Sequence, residues 1–347
     1  MEHAQIDSHD AVQIAVIGYG WWGKTITALL ADSPHLRVNT VVEASAAIRD
    51  QMAGDSQRLG FRVLADFQAV LADPQIEAVV LCTPHEFHAG QIVAAARAGK
   101  HVFCEKPLSL TAGDAKLAID TCRQYQRVLG IGHERRFEPA VQELRRRIAA
   151  GELGTVLQIE GNFSQDKFFA LPKDNWRLSN RHAPVGPLTA TGIHVVDLSI
   201  AVLGPCESVW ARLATRGSDF ENGDTLAIMM AFAGGANAMV SAVLATPFEG
   251  RFAVYGSQGW IEIRDRTHPE NPTGWDVTTA LRGKPRISEF SPPAPSVRLN
   301  LEAFAKAIRG QEAYPVPADQ MLANVATLEA IMRSVRSGAI EPVRIPH

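Results

Sequence analysis

The segment Val12-Gln13-Ile14-Ala15-Val16-Ile17-Gly18-Tyr19-Gly20-Trp21-Trp22-Gly23 constrains this chain more than any other. A near-continuous apolar run reads as a strand buried on both faces, and glycines in the spacing G-x-G-x-x-G follow at once. Gly18 permits a tight turn, Gly20 lets backbone approach a diphosphate, and Gly23 lets the next helix lie close on the sheet. The helix starting near Trp22 offers unpaired N–H groups and the positive end of its dipole to phosphate. A second apolar run, Val41-Val42, closes on Glu43 about twenty residues later, where a carboxylate can accept hydrogen bonds from ribose hydroxyls. These spacings predict a dinucleotide-binding parallel sheet. NAD is preferred over NADP, because Glu43 repels a 2′-phosphate and Ala44-Ser45 brings no adjacent arginine. Arg49, one helical turn on, argues the other way. Tyr19, Trp21 and Trp22 join the glycines as cofactor-side candidates, the tryptophans reading equally as loop anchors.

Strand and helix patterns alternate from Val12 to about Gly132. Strands are expected at Val12–Ile17, Val38–Val42, Arg62–Ala65, Ala78–Cys82, His101–Cys104 and Val128–Gly132, with helices at Gly23–Leu30, His88–Ala98 and Thr111–Tyr125. Beyond Arg136 the texture changes. After a helix at Pro139–Ala150 come runs without intervening helices: Val156–Phe163, Ser208–Leu213, Thr225–Phe232, Ala236–Leu244 and Arg251–Ile263. Gly234-Gly235 and Gly256-Ser257-Gln258-Gly259 mark turns between strands. The expected fold class is α/β: a Rossmann domain over residues 1–134, then an α+β domain over 135–347 with a large, mostly antiparallel open sheet. Thr267–Pro295, rich in proline, glycine and charge, reads as a long surface loop, and Leu299–Ile308 and Asp319–Val335 as helices. Several strands of the second domain carry apolar or small residues on both faces. That predicts burial of the outer face against another copy, in a homodimer or homotetramer.

A length of 347 residues fits two domains, and a net charge of -3 gives no basic footprint for nucleic acid. The polar start, Met1 to Ser8, lacks a secretory core, and no apolar run approaches membrane-spanning length. Cys82, Cys104, Cys122 and Cys206 show no metal or disulfide spacing, so a cytoplasmic protein without a metal is expected.

Three further motifs carry a resemblance. Thr83-Pro84-His85-Glu86-Phe87-His88 closes the fourth strand, Cys104-Glu105-Lys106-Pro107 the fifth, and Gly132-His133-Glu134-Arg135-Arg136-Phe137 the sixth. With Gly192, His194 and Asp197 downstream, the whole chain resembles the Gfo/Idh/MocA oxidoreductases. The resemblance implies an NAD(P)-dependent dehydrogenase acting on a small-molecule sugar, polyol or cyclic hydroxy compound. It implies that Thr83, Pro84, His88 and Glu105 lie along the cofactor, that Lys106 reaches nicotinamide and substrate, and that the bond before Pro107 is cis. Arg177 would lie near the nicotinamide and Trp176 near the substrate. His133, Asn162 and His182 are weaker pocket candidates, and Arg136 an interdomain one.

Alcohol oxidation needs a group that accepts the hydroxyl proton, and Lys106 and His194 are the candidates. Asp197, three residues after His194, is placed to orient the imidazole or to serve packing. The family's aspartate four residues before the histidine is Ala190 here, so either Lys106 and His194 suffice, a hydroxyl from Thr189 or Thr191 substitutes, or the reaction differs from polyol oxidation. Two alternatives are a non-redox lyase or glycosidase that uses NAD transiently, and a dinucleotide-binding regulator without catalysis.

Overall fold

The structure, a computed structural model, describes residues 11–346. The polar N-terminal stretch read above lies outside them. The chain divides into two compact units. The first runs to Ser109 and adds Gly113–Gly132 and Val297–Ala318; the second comprises Leu110–Ala112, His133–Ser296 and the chain from Asp319 onward.

The first unit is built on six parallel strands: β1 (Val12–Ile17), β2 (Leu36–Val42), β3 (Arg62–Leu64), β4 (Ala78–Leu81), β5 (His101–Cys104) and β6 (Leu129–Ile131). Their order, β3-β2-β1-β4-β5-β6, is that of a doubly wound dinucleotide-binding sheet. Val79, Val80 and Leu81 are wholly buried, which is why β4 shows no apolar–polar alternation. Connecting helices are α1 (Trp21–Leu29), α2 (Ala46–Arg49), α3 (Ala53–Leu59), α4 (Phe67–Ala72), α5 (His88–Arg97) and α6 (Ala112–Gln124).

The division of the chain at residue 134 needs correction. After the second unit's strands the chain returns to the first unit with helix α9 (Ser296–Ile308), whose Val297, Leu301, Phe304 and Ala305 enter the same core as β1, β4 and β5. Phe304 meets Phe103 edge-on at 5.7 Å, and the Asn300 amide donates to the Ile131 carbonyl at 2.9 Å. No local pattern reveals that α9 serves the distant sheet.

The second unit holds nine strands: β7 (Val156–Ser164), β8 (Cys206–Ala214), β9 (Thr225–Phe232), β10 (Asn237–Val243), β11 (Glu249–Gly256), β12 (Gly259–Asp265), β13 (Trp275–Leu281), β14 (Ile287–Ser291) and β15 (Glu341–Pro342). They lie in the order β14-β13-β12-β11-β7-β10-β9-β8-β15, antiparallel except where β7 meets β10. Helices α7 (Pro139–Ala149), α8 (Ile193–Leu203) and α10 (Ala318–Ser337) share the core on one face. Across the other face Trp210 pairs with Met229, and Met229 with Met239, each about two-fifths exposed.

Thr267–Pro295 is not the surface loop that its composition suggested. Its centre forms the hairpin β13–β14, pinned by Trp275, which is buried and donates its indole N–H to Asp265 at 2.9 Å. The strand signal was a short alternation, Trp275 and Thr279 inward, hidden among glycines and charges. No described helix is long and apolar enough to cross a membrane.

Candidate active site

The glycine turn has the steric form that its spacing predicts. Gly18 has φ +92°, and a Cβ there would stand 2.9 Å from the Cys82 carbonyl oxygen of the neighbouring strand. At Gly23 a Cβ would overlap the Gly18 carbonyl oxygen. Gly20 is different: nothing lies within 4 Å of where its Cβ would be, and its φ of -65° suits any residue. The first helical turn after it has no side-chain cap. Open space beside uncapped amides fits the diphosphate of a dinucleotide, which such groups hold by hydrogen bonds and dipole.

Glu43 ends β2 over this turn. Its two carboxylate oxygens accept from the backbone N–H groups of Tyr19 and Ser45, both at 2.8 Å, so the group is fixed with lone pairs left for ribose hydroxyls. Arg49 is committed to main chain, donating to the carbonyls of Glu43 at 2.7 Å and Ala44 at 2.6 Å. The Tyr19 side chain turns into the core, its hydroxyl on Asp55 at 3.1 Å and its ring 5.7 Å from Phe61; burial drives its pKa upward. Only its backbone serves the turn. Trp22 packs against the first unit's core and Trp21 is exposed, their rings meeting edge-on at 5.8 Å.

His88, expected along the cofactor, lies inside the first unit. It is wholly buried, with Nδ1 2.7 Å from the Pro107 carbonyl oxygen and Nε2 2.9 Å from that of Thr83. Both ring nitrogens are thus spent on main chain, tying the end of β4 to the segment that carries Lys106. Burial lowers the His88 pKa while the two carbonyls oppose that shift. The Thr83 hydroxyl donates to Gln91 at 2.6 Å, and the Lys106–Pro107 bond is cis, as the resemblance implied. Lys106 is half-buried; Glu105 before it is buried, one carboxylate oxygen 3.3 Å from the Lys106 backbone nitrogen.

The second unit carries His194 at the start of α8, where a π-helical turn, Leu188–Gly192, runs straight into the helix. Such turns occur often at functional sites. The Thr191 hydroxyl donates to the Pro187 carbonyl at 3.2 Å and that of Thr189 to Gly186 at 3.4 Å. Ala190 itself packs against the apolar cluster of Phe168, Leu178, Phe220 and Leu244.

Asp197 does not orient His194. Its carboxylate is held by Arg136 through two bonds, 2.7 Å from Nε and 2.6 Å from Nη2, with His133 Nε2 3.5 Å away. That bidentate pair, with Gln320 on the third guanidinium nitrogen, is buried. The sequence reading passed over a carboxylate close to His194: Glu134 Oε2 stands 3.7 Å from His194 Nδ1. A separation of sixty residues hides such a pair from any periodicity. Trp176 and Arg177 stack on each other, guanidinium 4.4 Å from the ring centre, and Asn162 donates across to Ser241 on β10 and accepts from Ser164 on its own strand. Among the described residues no cluster is placed to hold a metal ion.

The family model of the NAD-binding Rossmann oxidoreductases matches residues 12–133, and that of the GFO/IDH/MocA C-terminal domain matches 141–262. The chain is 30% identical over 277 residues to 1,5-anhydro-D-fructose reductase of Ensifer adhaerens, covering 78% of this chain and 81% of that one. The chain belongs to the Gfo/Idh/MocA family. It is accordingly an NAD(P)-binding oxidoreductase. D-xylose 1-dehydrogenase (NADP(+)) 2 of Haloferax volcanii is 28% identical over 311 residues, 88% of this chain and 93% of that one. The aldose-aldose oxidoreductase of Caulobacter crescentus, a structure complexed with glycerol, superposes with a TM-score of 0.84 at 25% identity, covering 96% of this chain and 99% of that one. Within the Gfo/Idh/MocA frame Glu134 stands beside the imidazole, and Asp197 is held by Arg136.

Proposed function

We propose that this enzyme moves hydride between NAD and a hydroxyl-bearing carbon of a sugar, polyol or related cyclic compound. Glu43 carries the reading. A carboxylate fixed by two backbone N–H groups receives a ribose diol and repels a 2′-phosphate, and the one nearby arginine is held on carbonyls. NAD is therefore preferred to NADP, although the Haloferax relative is named for NADP(+). Bound dinucleotide supplies the hydride acceptor. The chain supplies the rest: the turn at Gly18–Gly23 receives the diphosphate, and Lys106 and His194 take the hydroxyl proton as the carbon gives up hydride and a carbonyl forms. Relatives named for xylose, anhydrofructose and aldoses support the substrate class.

The test is NADH absorbance with NAD supplied to a panel of aldoses, inositols and dihydrodiols. Sustained turnover on at least one is expected; none with NAD or NADP overturns the reading. A second copy of the chain is the proposed cover for the Trp210–Met229–Met239 row. The adjoining charges pair among themselves (Arg251 with Glu160 and Glu262, Arg264 with Glu249), so a copy meets little like-charge repulsion. Sedimentation of Met229→Lys as a smaller species than the parent is expected, and an unchanged species would refute it.

A further inference from the structure

We infer that Glu134 is the positioning residue for His194: its carboxylate sets the tautomer of the imidazole and stabilises its protonated form. The inference rests on the proposed proton-handling role of His194. Four observations within the second unit carry it.

Both groups are buried, His194 4% and Glu134 6% exposed, with Nδ1 and Oε2 3.7 Å apart. That is longer than a hydrogen bond, yet in a buried setting the two groups interact with little screening by water. Three other carboxylates of this unit are engaged elsewhere. Asp197, on the helix of His194 itself, is held bidentately by Arg136. Asp265 and Glu138 take Arg135, at 2.6 Å and 3.0 Å, and burial pushes the Glu138 pKa up to about 8. Aromatic rings also pack against the imidazole. Phe163 from β7 lies 5.7 Å from it, Arg135 and His268 also lie against the Phe163 ring, and His133 meets the imidazole edge-on at 6.2 Å.

A carboxylate at Nδ1 favours the tautomer protonated there, which leaves the lone pair on Nε2. The proton then travels from substrate oxygen to Nε2 as the carbonyl forms, and the charge gained by the ring is balanced by Glu134. This arrangement meets the need left by Ala190 without calling on Thr189 or Thr191.

The test is a titration by ring-labelled histidine NMR on the full chain loaded with NADH, His194 being identified by the signal lost in His194→Gln. In the parent protein the neutral ring should be protonated at Nδ1. In Glu134→Gln the midpoint should fall by about one to three pH units, and Glu134→Asp should restore most of that shift. A parent ring protonated at Nε2, or a midpoint unmoved in folded Glu134→Gln, overturns the inference. Should Glu134→Gln fail to fold, the parent tautomer and Glu134→Asp decide. The signal is read on the imidazole, so it stands or falls separately from any search for the substrate. Full turnover by His194→Gln would sink the proton-handling role instead.

Discussion

Adding one methyl group to the glycine turn at two positions three residues apart should give opposite results. At Gly20 a Cβ enters open space and the backbone needs no change, since φ is -65°. Replacing glycine by alanine at a helix N-cap costs up to about 1 kcal/mol, and the reduced freedom of the unfolded chain returns about 0.4–1 kcal/mol. Gly20→Ala should therefore melt within a degree or two of the parent. The methyl occupies the room in which the diphosphate would lie, so NADH affinity should fall about 10- to 100-fold, equivalent to about 1.4–2.7 kcal/mol. At Gly23 the same methyl overlaps the Gly18 carbonyl oxygen, a backbone atom with no freedom to rotate away. Overpacking there should cost about 1–3 kcal/mol or more in stability. Thermal melting and NADH titration, followed by quenching of tryptophan fluorescence, separate the two effects. Parent-like affinity in Gly20→Ala would refute the argument, as would parent-like melting in Gly23→Ala.

Other expectations follow from the buried histidines. His88→Leu removes the ring N–H held between the Thr83 and Pro107 carbonyls, at a cost of about 1–3 kcal/mol, and should lower both melting temperature and NADH affinity; an unaltered variant would show that the clamp is idle. His101 accepts from the Val128 N–H at 2.9 Å, and burial takes its pKa down to about 4. The unfolded chain therefore binds the extra proton between about 4 and 6.5. That stabilisation is present in full above 6.5 and lost as pH falls towards 4, a swing of about 2 kcal/mol after allowance for partial exposure. Denaturant unfolding of His101→Asn should lack it.

Local chemistry made the first unit legible. An apolar run, a glycine spacing and an acid at the next strand end each fix structure over a few residues, and β1, α1, β2 and Glu43 lie where those signals put them. What escaped depends on partners far along the chain. Helix α9 reads as an ordinary amphipathic segment, and only Phe103 and Ile131, well over a hundred residues earlier, reveal where it belongs. Asp197 shares a helical face with His194 by spacing, yet Arg136 claims it because a bidentate buried pair outweighs proximity in sequence. His88 sat in a motif associated with the cofactor, and a burial that no periodicity encodes turned it into a main-chain tie. The hairpin β13–β14 was masked because edge strands tolerate the polar residues and glycines that elsewhere mark loops.

The central claim is that a fixed carboxylate and an open glycine cradle hold a dinucleotide without a 2′-phosphate. Calorimetric titration of the purified chain with NADH and with NADPH tests it most directly. Saturable NADH binding is expected, with NADPH at least about tenfold weaker and the gap closing in Glu43→Ser. Absence of binding by both nucleotides, or a preference for NADPH that Glu43→Ser leaves untouched, would contradict the account.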